Sequence, residues 1–81
     1  MFSPLDELKP GESAVIREID GSDSTAEYLM ELGLLVGTEL RFIKFAPLGD
    51  PLQIKLRGYH LSLRREEAHN VLVEKIQDTL E

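Results

Sequence analysis

The chain has 81 residues, nine of them basic and fifteen acidic, and a net charge of −6. This length accommodates one small domain, and the acidic balance argues against a nucleic-acid-binding protein, because phosphate neutralisation normally needs a basic excess. The absence of cysteine excludes disulfides, thiolate metal sites and cysteine nucleophiles.

The N-terminal part of the chain predicts a capped turn and then a strand. Ser3 is a candidate N-cap, with a proline after it at the first helical position. In residues 13–19, Ala14 and Ile16 alternate towards the inner face, and Ile19 then breaks the period of two. A bulge near Arg17 and Glu18 would return Ile19 to the inner face, so we predict a bulged strand here.

A helix of about two turns follows the first strand. Ser24 and Glu27 have the spacing of a capping box, and apolar side chains recur at helical spacing as far as Leu32. Gly33 then has the position of a C-terminal cap. The pattern predicts a helix over about residues 25–32.

The second half of the chain predicts four more strands. Gly58 separates two alternating runs, which is typical of a hairpin. The irregular alternation after Phe42 indicates either a bend or a second bulge. The predicted elements are strands over 38–46, 52–57, 59–64 and 71–76, one helical turn over 65–70 and a frayed tail over 77–81.

Five short strands and one inserted helix define the predicted fold class. A small barrel suits such strands, because closure removes exposed sheet edges in a short chain. We predict a mainly β, five-stranded SH3-like barrel as one domain over residues 1–81, with its core over about residues 5–76. A five-stranded OB-type barrel is the alternative. Phe42 and Tyr59 are expected inside, which argues against a groove for proline-rich peptides.

The sequence shows neither a membrane span nor a secretory signal. No apolar run exceeds three residues, whereas a membrane helix needs about 20. The N-terminus also lacks an apolar stretch behind a basic start. We therefore expect a cytoplasmic protein without direct membrane insertion.

The side chains offer little for enzymatic chemistry. A Ser/His/Asp set could in principle assemble from Ser62, His60 and Asp50, yet no Gly-x-Ser-x-Gly elbow surrounds any serine. A glycine-rich phosphate loop is also missing. We expect a protein that is not an enzyme.

The candidate metal ligands are weak. Glu66 and His69 are three residues apart on the predicted helical turn, and His60 is the other histidine. A transition-metal site usually takes three or four ligands. The ligand count therefore supports neither bound ferrous iron nor another cofactor, and a solvated turn is the alternative interpretation of Glu66 and His69.

Two features suggest protein contacts. Basic side chains cluster around the predicted hairpin, where Lys55, Arg57 and Arg64 would share an outward face. They form either an ordinary solvated face or a patch for an acidic surface. Leu48 lies between two prolines, either as a rigid apolar tip that binds a partner or as a plug over the barrel end.

A family resemblance runs from about Leu5 to Val73. It is carried, in order, by Leu8-Lys9-Pro10-Gly11-Glu12, Leu29-Met30-Glu31-Leu32-Gly33-Leu34, Gly37-Thr38, Ala46-Pro47-Leu48-Gly49-Asp50-Pro51, Gly58-Tyr59, Leu63-Arg64 and Glu67-Ala68. These blocks resemble the FeoA family, small cytosolic partners of the bacterial ferrous iron transporter FeoB. Val36 departs from the pattern, because many members have proline there.

The resemblance implies an SH3-like barrel and a role with FeoB, a membrane protein that carries a cytosolic GTP-binding domain. It favours a non-enzymatic accessory protein that binds this cytosolic part. The residues expected near the contact are Leu48, Asp50, Arg57, Tyr59 and Arg64. The alternatives are a metal-binding or metal-sensing module, and a regulator of the FeoB GTPase in which an arginine acts on phosphate.

Overall fold

The computed structural model describes residues 1–76, so the predicted tail over residues 77–81 lies outside the described residues. Its strands, β1 to β6 in chain order, are Ser3–Pro4, Ser13–Ile19, Glu39–Phe45, Leu52–Leu56, Tyr59–Leu63 and Val71–Lys75. Helices α1 and α2 are Asp23–Glu31 and Arg65–His69, and a 3-10 turn covers Leu5–Glu7. The strands form one antiparallel sheet in the order β1-β6-β2-β3-β4-β5.

The mainly β fold with one inserted helix is confirmed, but the sheet has six strands rather than five. The missed strand is β1, in which Ser3 pairs with Val73. Ser3 is therefore not a helix cap, and Pro4 instead precedes the 3-10 turn. A strand of two residues is too short to show the alternation on which sequence interpretation depends.

The predicted bulge in β2 is confirmed, and the irregularity in β3 is a bulge. The register of β2 against β6 shifts between Ile16 and Glu18, and that of β3 against β4 shifts between Phe42 and Lys44. In each strand the extra residue restores the inner face, so that Ile19 and Phe45 pack against the core although they break the period of two.

The core lies on the inner face of the curved sheet, under α1 and the N-terminal turn. Alternate residues of β2, β3, β4 and β6 are buried, and Phe42 is the largest side chain among them. The Phe45 ring lies 4.8 Å from that of Phe42, tilted by 59°. The buried apolar set is Leu5, Leu8, Ala14, Ile16, Leu29, Leu34, Leu40, Phe42, Leu52, Ile54, Leu56, Leu63, Ala68, Val71 and Val73.

Helix α1 begins two residues earlier than predicted. Ser22, not Ser24, is the N-cap, and its Oγ accepts a hydrogen bond from the Thr25 backbone N–H at 3.2 Å. Both serines are suitable caps, so the pattern Ser24 to Glu27 selected the wrong one. In the structure the proposed capping box lies inside the first turn.

The predicted end of α1 at Gly33 is confirmed. Gly33 has φ +104°, and its N–H donates to the Met30 carbonyl at 2.9 Å. The Leu34 N–H donates to the Leu29 carbonyl at 3.1 Å. These two bonds define a Schellman motif, in which two buried leucines also meet. The motif turns the chain from α1 towards β3.

The sheet ends at β1 and β5. Within residues 1–76 no strand ladder joins these two, so one edge of β5 has no neighbouring strand. The fold therefore keeps a sheet edge that full barrel closure would have removed. In the same part of the chain, no helix is both long and apolar enough to cross a bilayer.

Candidate docking surface

The five residues predicted to bind a partner fall into two groups. Leu48, Asp50 and Arg64 lie near the start of β4 and the end of β5, whereas Arg57 and Tyr59 lie at the hairpin turn between these strands. The strand β4 has five residues, so about 14 Å separates the two groups along it. We call them the loop group and the turn group.

The loop over residues 46–51 is closed by its own backbone. The Ala46 N–H donates to the Pro51 carbonyl at 2.8 Å, and the Gly49 N–H donates to the Ala46 carbonyl at 2.7 Å. Leu48 lies at the tip and is 96% exposed. Leu48 is therefore an exposed tip and does not plug the core, and its contact with a partner stays a prediction.

The loop is also fastened to α2. Asp50 Oδ1 accepts a hydrogen bond from the Arg65 backbone N–H at 3.0 Å, a free donor in the first turn of the helix. Glu67 Oε1 accepts from the Arg64 N–H at 3.0 Å. The Arg65 guanidinium lies over the Phe45 ring, 5.0 Å from its centroid. Asp50 therefore helps to fix the loop that exposes Leu48, whereas Arg64 belongs to the N-terminal cap of α2.

Arg57 occupies a backbone position that arginine rarely takes. Arg57 and Gly58 form the two-residue hairpin turn, with φ values of +50° and +84°, as a type I′ turn requires. The Arg57 Nη2 donates to Thr38 Oγ1 at 3.3 Å, and Thr38 is a buried polar residue, 7% exposed. This bond fixes the guanidinium beside a shallow concavity that Arg41 and Lys55 also line.

Tyr59 does not belong to the core, contrary to the prediction. Its side chain is 42% exposed, and its hydroxyl donates to the Leu32 carbonyl at 2.7 Å. That carbonyl lies at the C-terminal end of α1 and needs a partner from outside the helix. Tyr59 therefore connects the hairpin with α1 across Gly33, where a Cβ atom would overlap the tyrosine hydroxyl.

The predicted outward face of three basic residues is only partly correct. Lys55 does point outward from β4, but Arg57 lies in the turn and Arg64 immediately precedes α2. The structure instead places Arg41 opposite Lys55, and Lys55 opposite His60. Sequence interpretation missed Arg41, because strand register alone makes it a neighbour of Lys55.

The weak metal candidates do not converge. The Nδ1 of His69 lies 3.2 Å from Asp6 Oδ1. Glu66 lies on α2 with His69, whereas His60 lies on β5. Across residues 1–76 there is no group of three or more His, Asp or Glu side chains that could hold a metal ion. The described geometry provides an ion pair at His69 when this histidine is protonated.

Acidic side chains pair with basic ones near β2 and β6. Arg17 Nε lies 2.9 Å from Glu74 Oε1, and Lys75 Nζ lies 3.3 Å from Glu12 Oε2. Glu12 Oε1 also accepts from the Lys9 backbone N–H at 2.7 Å. This backbone hydrogen bond, with Lys75 nearby, holds the pKa of Glu12 below its ordinary value of 4.5.

Comparison with known proteins supports the family resemblance. The FeoA domain model matches residues 3–75. A fusion protein of Fe(2+) transport protein A and the Fe(2+) transporter FeoB, from Porphyromonas gingivalis, is 36% identical over 72 residues. The match covers 89% of this chain but only 8% of the fusion protein.

Solved structures share the architecture. A FeoA-like protein from Clostridium acetobutylicum has 32% sequence identity and a TM-score of 0.89, with 99% of this chain and 93% of that chain covered. A FeoA protein from Chlorobium tepidum has 36% identity and a TM-score of 0.83, with 91% and 70% covered. With the family match over most of its length and relatives above 30% identity, the chain belongs to the FeoA domain family.

Proposed function

We propose that this chain is a cytosolic, non-enzymatic accessory protein of ferrous iron uptake that binds the cytosolic part of a FeoB-like transporter. The observation that carries the proposal is the fusion protein, in which a domain 36% identical to this chain belongs to the same polypeptide as FeoB. Covalent joining keeps two domains at a high effective concentration. A free chain of the same family needs a docking surface to achieve the same proximity.

The loop group supplies one suitable surface. Leu48 is an exposed apolar side chain on a loop that backbone bonds and Asp50 hold in place. Docking such a loop costs little conformational entropy, because its geometry is set before binding. The turn group offers a fixed guanidinium at Arg57, which suits a carboxylate or a phosphate on the partner.

Binding to the cytosolic FeoB domain of the same organism tests the proposal. We expect saturable one-to-one binding by isothermal titration calorimetry in the GDP-bound state, in the GTP-analogue-bound state or in both. A single Leu48→Ser variant and a double Arg57→Glu/Arg64→Glu variant should each bind roughly tenfold more weakly. Lys9→Glu, an exposed charge reversal in the N-terminal turn, is the control. Absence of binding in both nucleotide states would refute the proposal.

We further propose that the chain acts without a resident metal, ferrous iron being the cargo of the transporter. The support is that no three His, Asp or Glu side chains of residues 1–76 come together as a metal site. Glu66 and His69 share α2, where His69 pairs with Asp6, whereas His60 lies on β5. Anaerobic titration with ferrous iron should show neither stoichiometric binding nor a rise in the melting temperature. Micromolar, one-to-one binding that is lost in His69→Ala would contradict this proposal.

A further inference from the structure

The strand β5 has an edge that is open to pairing. Leu56 and Tyr59 flank the two-residue turn and form its hydrogen-bonded pair. Alternation along the ladder then directs the backbone N–H and C=O groups of His60 and Ser62 away from β4. Both residues are exposed, and among the described residues no backbone bond outside the ladder reaches either of them. Such a row of free donors and acceptors is a template for an additional strand.

A row of basic side chains leads to this edge. Arg41 lies opposite Lys55, and Lys55 lies opposite His60, so the three share the outer face of β3, β4 and β5. All three are exposed. Like charges directly opposite each other destabilise a sheet, which makes the Arg41–Lys55 pair unfavourable unless an anion compensates it.

No acidic side chain of the described residues compensates this row by an ion pair. The three ion pairs found within residues 1–76 use Arg17, Lys75 and His69, which lie elsewhere on the surface. The strands β3 to β5 contain one acidic residue, Glu39, which lies two residues before Arg41 on the same face of β3 but forms none of these ion pairs. The row of Arg41 and Lys55, which lacks an ion pair, therefore ends at His60 on the open edge of β5.

We propose that the open edge of β5 takes up an extended acidic segment of a partner protein as an additional strand. The segment would exchange backbone hydrogen bonds with His60 and Ser62, and carboxylates on its outer face would continue the row from Arg41 through Lys55. A second copy of this chain fits less well, because pairing two β5 edges would bring two basic rows together. This inference rests on the proposed function, for which it specifies a docking edge and the chemistry of the segment that binds there.

Amide hydrogen exchange, measured by NMR on the full chain, gives the most direct readout. The added probes are the cytosolic FeoB domain and, separately, an alternating Thr-Glu octapeptide, with an alternating Thr-Lys octapeptide as control. Binding should slow exchange of the His60 and Ser62 amides about tenfold or more, because bound backbone groups exchange only on opening. The Leu61 amide already donates to β4 and serves as the internal reference. The Thr-Lys peptide should leave all three unchanged.

Two variants test the backbone and the charge separately. Ser62→Pro removes an outward N–H while leaving the bonds to β4 in place, and it should weaken binding about tenfold. Ser62→Thr keeps this N–H and should bind like the original chain. The double variant Arg41→Glu/Lys55→Glu should weaken binding about tenfold and reduce its salt dependence. If Ser62→Pro does not fold, the charge variant and the hydrogen-exchange data still test whether the β5 edge binds an acidic segment.

The outcomes separate this inference from the proposed function. Transporter binding that leaves the His60 and Ser62 amides unprotected overturns the edge assignment and leaves the proposed function intact. Protection by the Thr-Glu peptide without transporter binding supports the edge and refutes the proposed function. Equal protection by the Thr-Glu and Thr-Lys peptides would refute the claim that the edge prefers an acidic segment. If the His60 and Ser62 amides become protected as the concentration of this chain rises, without any partner or peptide, the edge binds a second copy and the proposal is overturned.

Discussion

Gly33 combines two requirements that only glycine meets, and substitution by alanine would violate both. Its φ of +104° costs an L-residue about 1–2 kcal/mol. A Cβ atom would also overlap the Tyr59 hydroxyl, so this hydroxyl must shift and its 2.7 Å bond to the Leu32 carbonyl is weakened or lost. A bond of this kind contributes about 0.5–1.5 kcal/mol. We therefore expect Gly33→Ala to lower the free energy of unfolding by about 2–3 kcal/mol.

Two further variants separate the two costs. Gly37 has φ +94°, and no heavy atom lies within 4 Å of the position that an alanine Cβ would take. Gly37→Ala should therefore lower the free energy of unfolding through backbone strain alone, by about 1–2 kcal/mol. In a Tyr59→Phe background, the nearest remaining ring atom lies 3.7 Å from the Gly33 Cβ position, which is ordinary contact. Gly33→Ala should then cost about 1 kcal/mol less than it does in the original chain.

Urea unfolding followed by circular dichroism measures all five proteins, since the chain has no tryptophan for fluorescence. They are the original chain, the three single variants and the double variant Gly33→Ala/Tyr59→Phe. Thermal unfolding gives an independent check, because each kcal/mol shifts the melting temperature of a domain of this size by roughly 4–8 °C. If the effects of Gly33→Ala and Tyr59→Phe add to within about 0.3 kcal/mol, the two residues are not coupled. That result would refute the contact on which the reasoning depends.

Three further predictions concern Leu48, Glu12 and Arg57. Leu48→Ser should change the unfolding free energy by less than about 0.5 kcal/mol because the side chain is 96% exposed; a larger loss would mean that Leu48 packs against the core. The pKa of Glu12 is lowered in the folded chain by the Lys9 N–H, so its stabilisation is present above pH 4.5 and is lost as the pH falls through the folded value. Between pH 4.5 and about 3, urea midpoints should therefore fall less steeply in Glu12→Gln than in the original chain; parallel slopes would contradict this. Arg57→Asn should raise the free energy of unfolding by about 0.5 kcal/mol, and with it the urea midpoint. Asparagine tolerates positive φ better than arginine, and this gain should exceed the loss of the 3.3 Å bond to Thr38. A lower urea midpoint would show that the loss of this bond is the larger effect.

Strand periodicity predicted most of the sheet, because its signal is local. Residues 13–19 form a strand with the expected bulge, and the irregularity after Phe42 marks a real shift of register. The pattern failed for β1, where two residues cannot show a period. It also failed at the start of α1, where Ser22 and Ser24 are chemically equivalent caps.

The candidate docking surface was less predictable, because it depends on which residues the register brings together. The loop with Leu48 could be recognised from its prolines, yet only the structure shows that Leu48 is exposed. Tyr59 fits the inward alternation of its strand, but its hydroxyl is drawn to a free helix carbonyl at Leu32. Arg41 and Lys55 lie fourteen positions apart in the chain and become neighbours through the pairing of β3 with β4.

The strand register also shows that the charges behind the net charge of −6 are unevenly distributed over the sheet. On β2 and β6, bases meet acids, as in the pairs of Arg17 with Glu74 and Lys75 with Glu12. Across β3, β4 and β5, Arg41 and Lys55 face each other without an ion pair among the described residues. A surface that keeps two like charges opposite each other lowers the stability of the free chain. The same arrangement favours an acidic partner over a second copy, since attraction steers oppositely charged surfaces together and like charges oppose association.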